Sequence, residues 1–343
     1  MRWIVPCLIG FAALAWNIRS ATAAAWVHDG SAPNILLIIS DDQSAAHLGC
    51  AGDPNVKTPR LDQLAAEGMR FNRMYVAASQ CVPSRASLMT GRSPVAIQMT
   101  RFSAPLPAEV PTFPEWLRAA GYFTGICGRS FHLDGSANPN SAPETNEILE
   151  RHHLRTFANR VDWLSDAPFR REGIPDLVRT YVKMVPRGRP FFLQVGLSDP
   201  HRPYDENASA TRPDPATLKL PAHFPDTALI REDHAAYLGE IQRLDGDVGR
   251  VLDVLEEARL AHSTVVVFVG DNGSAQLRGK GTLHEFGIRV PLIVRWPGVV
   301  KPASVAEELI SGEDLAPTFA EIAGLQVPRH VTGKSFLKRL RGE

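Results

Sequence analysis

The sequence predicts an α/β protein built on a sheet sandwiched by helices, and three observations predict it. Residues 35–40 are a continuous apolar run closed by serine, too short for a typical helix and rich in β-branched side chains, as a strand buried on both faces would be. Residues 264–270 repeat that pattern far along the chain. Ahead of the second run, from Tyr237, the apolar residues Leu238, Ile241, Leu244, Val248, Val251, Leu252 and Leu255 recur at helical spacing and lead directly into it. Alternation of this kind implies helices flanking a sheet.

Taken in order, the chain opens with Arg2, an apolar stretch over 3–16 and small residues through Ala25, the layout of a secretory signal peptide with an A-x-A-like cleavage site. Residues 1–25 are expected to be removed and residues 26–343 to form one domain, periplasmic or secreted. The apolar core of the leader is short for a membrane span and no second hydrophobic segment follows, so no stable span is expected. After the first strand, Thr58-Pro59 with Leu61, Leu64, Ala65 and a closing Gly68 reads as a capped amphipathic helix. Pro83 suits a first helical turn, where its missing N–H costs nothing, and predicts a helix over 84–90 whose N-terminus faces an anion. Residues 112–120, closed by Gly121, predict another helix, 191–197 and 290–296 two more buried strands, and 314–323 a helix stopped by Gly324. Residues 98–111, 138–150 and 202–225 are rich in proline or polar side chains and are expected to form an irregular rim.

The chain has 343 residues, 44% hydrophobic and 22% charged, enough for one sizeable core. Lysine plus arginine and aspartate plus glutamate both number 37, so no global basic field recruits nucleic acid, and any polyanion must be attracted locally. Of four cysteines, Cys7 falls in the leader; Cys50 and Cys127 could form one disulfide, which two cysteines alone do not establish.

The first strand ends in Asp41-Asp42 and the 264–270 strand in Asp271-Asn272. Adjacent carboxylates repel unless a cation lies between them. If both strands are parallel in one sheet, their carboxyl ends share an edge and the four side chains converge there. Carboxylate and amide oxygens favour a hard cation, Ca²⁺ or Mg²⁺, over zinc. Asp41-Asp42 taken alone reads equally well as a cap or turn. Cys81 stands two residues before Pro83, with Arg85 one helical turn on; the plain reading of the cysteine is a buried core residue ahead of a helix.

The run from Cys81 to Arg92, which contains Cys-Val-Pro-Ser-Arg and ends Thr-Gly-Arg, resembles the sulfatase motif. The resemblance extends from Asn34 to about Leu340 and implies the alkaline-phosphatase-like superfold. In that family the motif cysteine is oxidised to formylglycine, whose hydrated diol attacks the sulfur with one hydroxyl and uses the other to expel sulfate afterwards. The resemblance implies that Cys81 is this residue, and that Asp41, Asp42, Asp271 and Asn272, with the modified Cys81, hold one calcium ion. It implies that Arg85 and Lys280, within Gly279-Lys280-Gly281-Thr282-Leu283-His284, grip the diol or the sulfate. It likewise implies that His201, in Asp199-Pro200-His201-Arg202, helps protonate the leaving group and that His132, in Gly128-Arg129-Ser130-Phe131-His132-Leu133, contacts the diol. Arg129 stands where the family usually has lysine, exchanging a compact ammonium for a planar fork.

The expected activity is hydrolysis of a sulfate ester on a sulfated carbohydrate, after maturation by a formylglycine-generating or anaerobic sulfatase-maturing enzyme. Many sulfatases continue into a small antiparallel-sheet domain, which is expected to be absent or truncated here. A phosphoester, phosphonate ester or sulfamate substrate, or binding of sulfated glycan without cleavage, are the alternatives. His152-His153 has no partner at metal-site spacing and reads as an exposed helix face, whereas His284 could face substrate or simply pack a loop. Asn207 and Asn272 fit the glycosylation sequon, but the pattern is common by chance.

Overall fold

The structure, a computed structural model, describes residues 32–100, 106–129, 151, 159–165 and 171–343. Its centre is one eight-stranded sheet of β1 (Asn34–Ser40), β2 (Met69–Tyr75), β3 (Phe123–Gly128), β4 (Trp163–Leu164), β5 (Phe191–Gly196), β6 (Thr264–Gly270), β7 (Leu292–Arg295) and β8 (Ser304–Ser311). Their order across the sheet is β4-β3-β5-β1-β6-β7-β2-β8. β1 is parallel to both β5 and β6, β3 to β4 and β5, and β2 to β8. β7 runs against β6 and β2, which makes the sheet mixed.

Helices whose full extent falls among the described residues are α1 (Pro59–Ala66), α2 (Cys81–Thr90), α3 (Phe113–Ala119), α4 (Ile174–Met184), α5 (Ala228–Glu257), α6 (Glu285–Ile288), α7 (Leu315–Ile322) and α8 (Leu337–Arg341). Side chains alternate across a strand, and the two central strands feed two cores. Ile35, Leu37 and Ile39 join Val265, Val267 and Val269 under Val82, Ala86, Phe113, Leu117, Leu315 and Phe319 of α2, α3 and α7. Leu36, Ile38, Val266 and Phe268 meet Leu61, Leu64, Val178, Leu244, Val248 and Val251 of α1, α4 and α5 on the other face. Each fully buried aliphatic or phenylalanine side chain contributes roughly 1.5–3 kcal/mol. β1 and β6 are therefore a firmly held base for whatever stands at their ends, and the helix-sandwiched sheet is as expected.

Local differences have local causes. The helix at Pro83 begins at Cys81 rather than at residue 84, because Pro83 is its third residue and the first turn has no intrahelical N–H bonds to lose. The long helix starts at Ala228, where Thr227 Oγ1 accepts from Ile230 N, well before the apolar repeat that announces it. The strand expected over 290–296 is confined to Leu292–Arg295. Within 202–225, Glu206–Thr211 and Pro215–Thr217 form 3₁₀ turns. β2, β3, β8 and α4 are not evident from the sequence. β2 carries Arg70 and Arg73, β8 is largely exposed, and β3 holds Gly125, whose missing Cβ lets the Tyr181 ring pack directly on the strand. Cys50 and Cys127 are free thiols. Among the described residues no helix is long and apolar enough to cross a membrane, and the signal peptide expected over 1–25 lies outside them.

Candidate active site

Ser40 pairs with Gly270, so the residues that follow each strand emerge level with one another. Asp271 N donates to Ser40 O at 3.1 Å, and Asp41 N to Asp199 O at 3.2 Å, which brings the end of β5 to the same edge. Asp41, Asp42, Asp271 and Asn272 are all buried there. Asp42 has φ of 65°, a left-handed conformation that carries strain in a residue with a Cβ and turns its side chain away from the strand direction. That conformation is held by Asp42 N donating to Asp271 Oδ1 at 3.0 Å and by Tyr237 Oη donating to Asp42 O at 3.1 Å.

Asp271 Oδ1 also accepts from Asn272 N at 2.7 Å, and its Oδ2 from Arg85 Nε at 2.8 Å. Asp41 Oδ2 lies 3.2 Å from Arg85 Nη2 and 2.9 Å from Arg129 Nε. Asn272 Nδ2 donates to Asp42 Oδ1 at 2.8 Å. Two buried oxygens, Asp42 Oδ2 and Asn272 Oδ1, have no hydrogen-bond partner. Buried acceptors of this kind are costly unless something unseen satisfies them.

α2 inserts Cys81 among these groups. Its Sγ donates to Asp41 Oδ1 at 3.3 Å and accepts from Lys280 Nζ at 2.9 Å, and the same ammonium lies 2.7 Å from Asp42 Oδ1. Burial, then Asp41, Asp271 and Asp42, push the Cys81 thiol well above its ordinary value. Burial and the Asp41 charge push Asp42 up to about 6, against the pull of Lys280. Burial works against the charge on Lys280, but neighbouring Cys81 and Asp42 more than offset it and hold the ammonium protonated. Arg85 is likewise held charged by Asp271 and Asp41 despite complete burial.

His201 reaches the cluster from the loop after β5. Its Nε2 is 3.8 Å from Asp42 Oδ2, and its Nδ1 is 2.5 Å from Arg202 O. Asp41, Asp42, Cys81 and His201 each offer a donor atom, all within 4.8 Å of one another. The structure thus gathers Asp41, Asp42, Cys81, Arg85, Arg129, His201, Asp271, Asn272 and Lys280. His132 lies outside the described residues, as do His152, His153 and the Asn207 side chain. His284 is exposed at the start of α6, and Asn272 is too buried to be glycosylated. Arg85 is turned toward two carboxylates rather than outward, whereas Lys280, His201 and Arg129 retain some exposure.

Sequence reasoning missed Tyr237, Asp199 and Arg243. Tyr237 fits the apolar repeat of its helix and nothing near Arg243 in the chain marks it as a neighbour of the acid cluster, whereas Asp199 stands two residues before His201 and that proximity could have marked it. A cavity of about 1000 Å³ lies elsewhere, between the 45–55 loop, β2 and residues 285–293, and none of the gathered groups lines it. The convergence of acids, cations and cysteine is a stronger guide to chemistry than cavity size.

An alkaline-phosphatase-like sheet carrying a buried cysteine among acids and cations defines a class of ester hydrolase fold. Residues 33–325 match the Sulfatase family model, and the chain belongs to the sulfatase family. It is 33% identical to Homo sapiens arylsulfatase A over 334 residues, covering 86% of this chain and 65% of that protein. It is 29% identical to Canis lupus familiaris N-acetylgalactosamine-6-sulfatase (96% and 71% covered) and 27% identical to a Formosa agariphila ulvan-active sulfatase (91% and 58%). The chain spans roughly two thirds of the length of these relatives. Among solved structures it resembles Ps i-CgsB in complex with k-i-k-neocarrahexaose, with a TM-score of 0.68, 26% identity, and 89% of this chain and 75% of that one covered. It shares its fold with the phosphonate monoester hydrolase of Agrobacterium radiobacter, with a TM-score of 0.72, 20% identity and coverage of 90% and 77%.

Proposed function

We propose that the protein is an exported sulfuric ester hydrolase acting on a sulfated carbohydrate, with Cys81 as the precursor of its nucleophile. The observation that carries this reading is the placement of Cys81 Sγ between the Asp41 carboxylate and the Lys280 ammonium, at 3.3 and 2.9 Å. As an unmodified thiol Cys81 is held protonated by burial and by three carboxylates, so it is a poor nucleophile as it stands. Conversion to formylglycine would supply a hydrated aldehyde oxygen as nucleophile in its place.

The donor set suits one Ca²⁺. Asp41, Asp42, Asp271 and Asn272 offer hard oxygens, and Asp42 Oδ2 and Asn272 Oδ1 are buried with no partner. A bound cation would polarise the sulfate and relieve repulsion among the acids. Among the described residues Arg85, Arg129 and Lys280 oppose the three carboxylates, so a divalent cation and an anionic ester can enter a site that is already close to neutral.

The residues then divide the work. Arg85, fully buried, fixes Asp41 and Asp271 from beneath. Lys280 and Arg129, partly exposed, meet the sulfate oxygens, Arg129 through a planar fork suited to two of them. His201 donates Nδ1–H to the Arg202 carbonyl, so only as the imidazolium, protonated on both nitrogens, does it carry on Nε2, which faces the cluster, a proton to give to the departing oxygen. The names of the ulvan-active and N-acetylgalactosamine-6-sulfatase relatives support a sugar sulfate. The leader over 1–25 supports export to the periplasm or beyond, and Cys81 requires a maturing enzyme as partner.

The test is sulfate release from a panel of sulfated mono- and oligosaccharides, with aryl phosphate beside aryl sulfate, by protein whose Cys81 peptide has the formylglycine mass. Release by wild type but not by Cys81→Ala is expected. Equal release by Cys81→Ala would sink the mechanism, and faster turnover of phosphate would replace the substrate class.

A further inference from the structure

Arg243, on α5, stands outside the acid cluster yet is bound to the loop that delivers His201 to it. Its Nε and Nη2 engage Asp199 Oδ2 and Oδ1 at 2.7 and 3.0 Å, a two-pronged contact in which both side chains are largely buried. Its Nη1 donates to Asp205 Oδ2 at 2.8 Å. One planar guanidinium therefore ties down both ends of the segment 199–205, with His201 between them.

The surrounding bonds close the frame. Glu240, one turn back on α5, accepts from Asp205 N at 2.6 Å and from Arg243 Nη2 at 3.2 Å. The Asp199 carbonyl accepts from Asp41 N at 3.2 Å, which ties the loop to the end of β1, and His201 N donates to Ser198 O at 2.9 Å. With these contacts His201 Nε2 stands 3.8 Å from Asp42 Oδ2. The base of the clamp is rigid, since α5 runs 30 residues and buries Leu244 and Val248 immediately after Arg243.

We infer that Arg243 is a positioning residue for His201: by clamping Asp199 and Asp205 it holds the imidazole where it can protonate the departing oxygen. This rests on the reading of His201 given above. An acid displaced by about 1 Å can lose on the order of 100-fold in rate, and a group placed on a loop needs such support to be accurate. The loss depends on the leaving group. An alkoxide needs its proton as the S–O bond breaks, whereas 4-nitrophenolate leaves well without one.

The experiment compares wild type, Arg243→Gln, Arg243→Lys and Asp205→Asn, all with confirmed Cys81 conversion. Turnover is measured on an alkyl sulfate and on 4-nitrophenyl sulfate, beside hydrogen–deuterium exchange of residues 199–205. For Arg243→Gln, kcat on the alkyl sulfate should fall about 10- to 100-fold with KM little changed, while the nitrophenyl ester loses less than about threefold. Exchange of the loop should quicken, and Arg243→Lys should recover part of the loss. Equal losses on both esters, or unchanged exchange, would overturn the inference. Should Arg243→Gln fail to fold, Asp205→Asn removes one arm of the clamp from a half-exposed position, and the same selective loss is expected from it. If wild type cleaves neither ester nor any saccharide of the panel above, the proposed function fails, and the exchange rates of the loop alone decide the clamp: faster exchange upholds it and unchanged exchange overturns it.

Discussion

Lys280 Nζ lies 2.7 Å from Asp42 Oδ1 and 2.9 Å from Cys81 Sγ, so one ammonium contacts both a member of the acid cluster and the atom from which the nucleophile would derive. A cation fixed in this way needs no rearrangement when negative charge develops beside it, which is where such groups stabilise a transition state most. Lys280→Met is expected to lower kcat by about 100- to 1000-fold, with a smaller effect for Lys280→Arg. A change under tenfold for the methionine variant would remove Lys280 from the reaction.

Calcium should stabilise the folded protein. The unpartnered Asp42 Oδ2 and Asn272 Oδ1 gain a partner only in the native state, and a ligand that binds only that state contributes about 2.7 kcal/mol at one hundred times its Kd. Melting curves in chelator and in millimolar CaCl₂ are expected to differ, with the higher Tm in calcium. Coincident curves would count against a calcium site.

Arg85 has a structural task separable from chemistry. Arg85→Met would leave Asp41 and Asp271 buried with much of their compensation gone, a loss of about 3–5 kcal/mol in urea unfolding. A loss below 1 kcal/mol would mean that the acids are neutralised in some other way.

Asp245 caps a helix to which it does not belong. Its Oδ1 and Oδ2 accept from Leu61 N and Arg60 N of α1 at 2.8 and 3.1 Å, while the Thr58 side chain, at the cap position, caps none of these amides and donates to Asp62 Oδ1 at 2.9 Å instead. Asp245→Ala should cost roughly 1–2 kcal/mol, the worth of a good N-cap, without altering KM. A neutral effect on stability would show that water serves the α1 amides equally well.

His234 should give an acid-side loss of stability. Burial, reinforced by His47, lowers its pKa from 6.5 to about 4. The unfolded chain therefore takes up the proton first, and the stability that neutral His234 contributes is complete above pH 6.5 and lost as pH falls toward 4. Relative to His234→Gln, wild type should lose up to about 3 kcal/mol across that window. A pH-independent difference between the two would refute the assignment.

Much of the site was legible because its signals are local. The runs at 35–40 and 264–270 are apolar without interruption, so they read as buried strands, and the polar residues that end them read as an edge. The Cys81 motif and the segment around Lys280 are likewise contiguous. Arg85 was legible as a cation near the cysteine but not as the partner of Asp41 and Asp271, from which it is separated by 44 and 186 residues. β2 and β8 carry charged residues on partly solvated faces and leave no clean period to read.

The sequence by itself determined the elements of the machinery: strands that end in carboxylates, a cysteine ahead of a proline-bearing helix, and the cations near it. These follow from period, composition and short-range sterics, which act within a few residues. Only the tertiary structure decided which cation faces which acid, that Ser40 lies level with Gly270, and that Arg243 clamps both ends of the His201 loop. Those outcomes depend on strand register and on which helix covers which face of the sheet. Burial of apolar surface sets both over the whole chain, and no local stretch of residues encodes either.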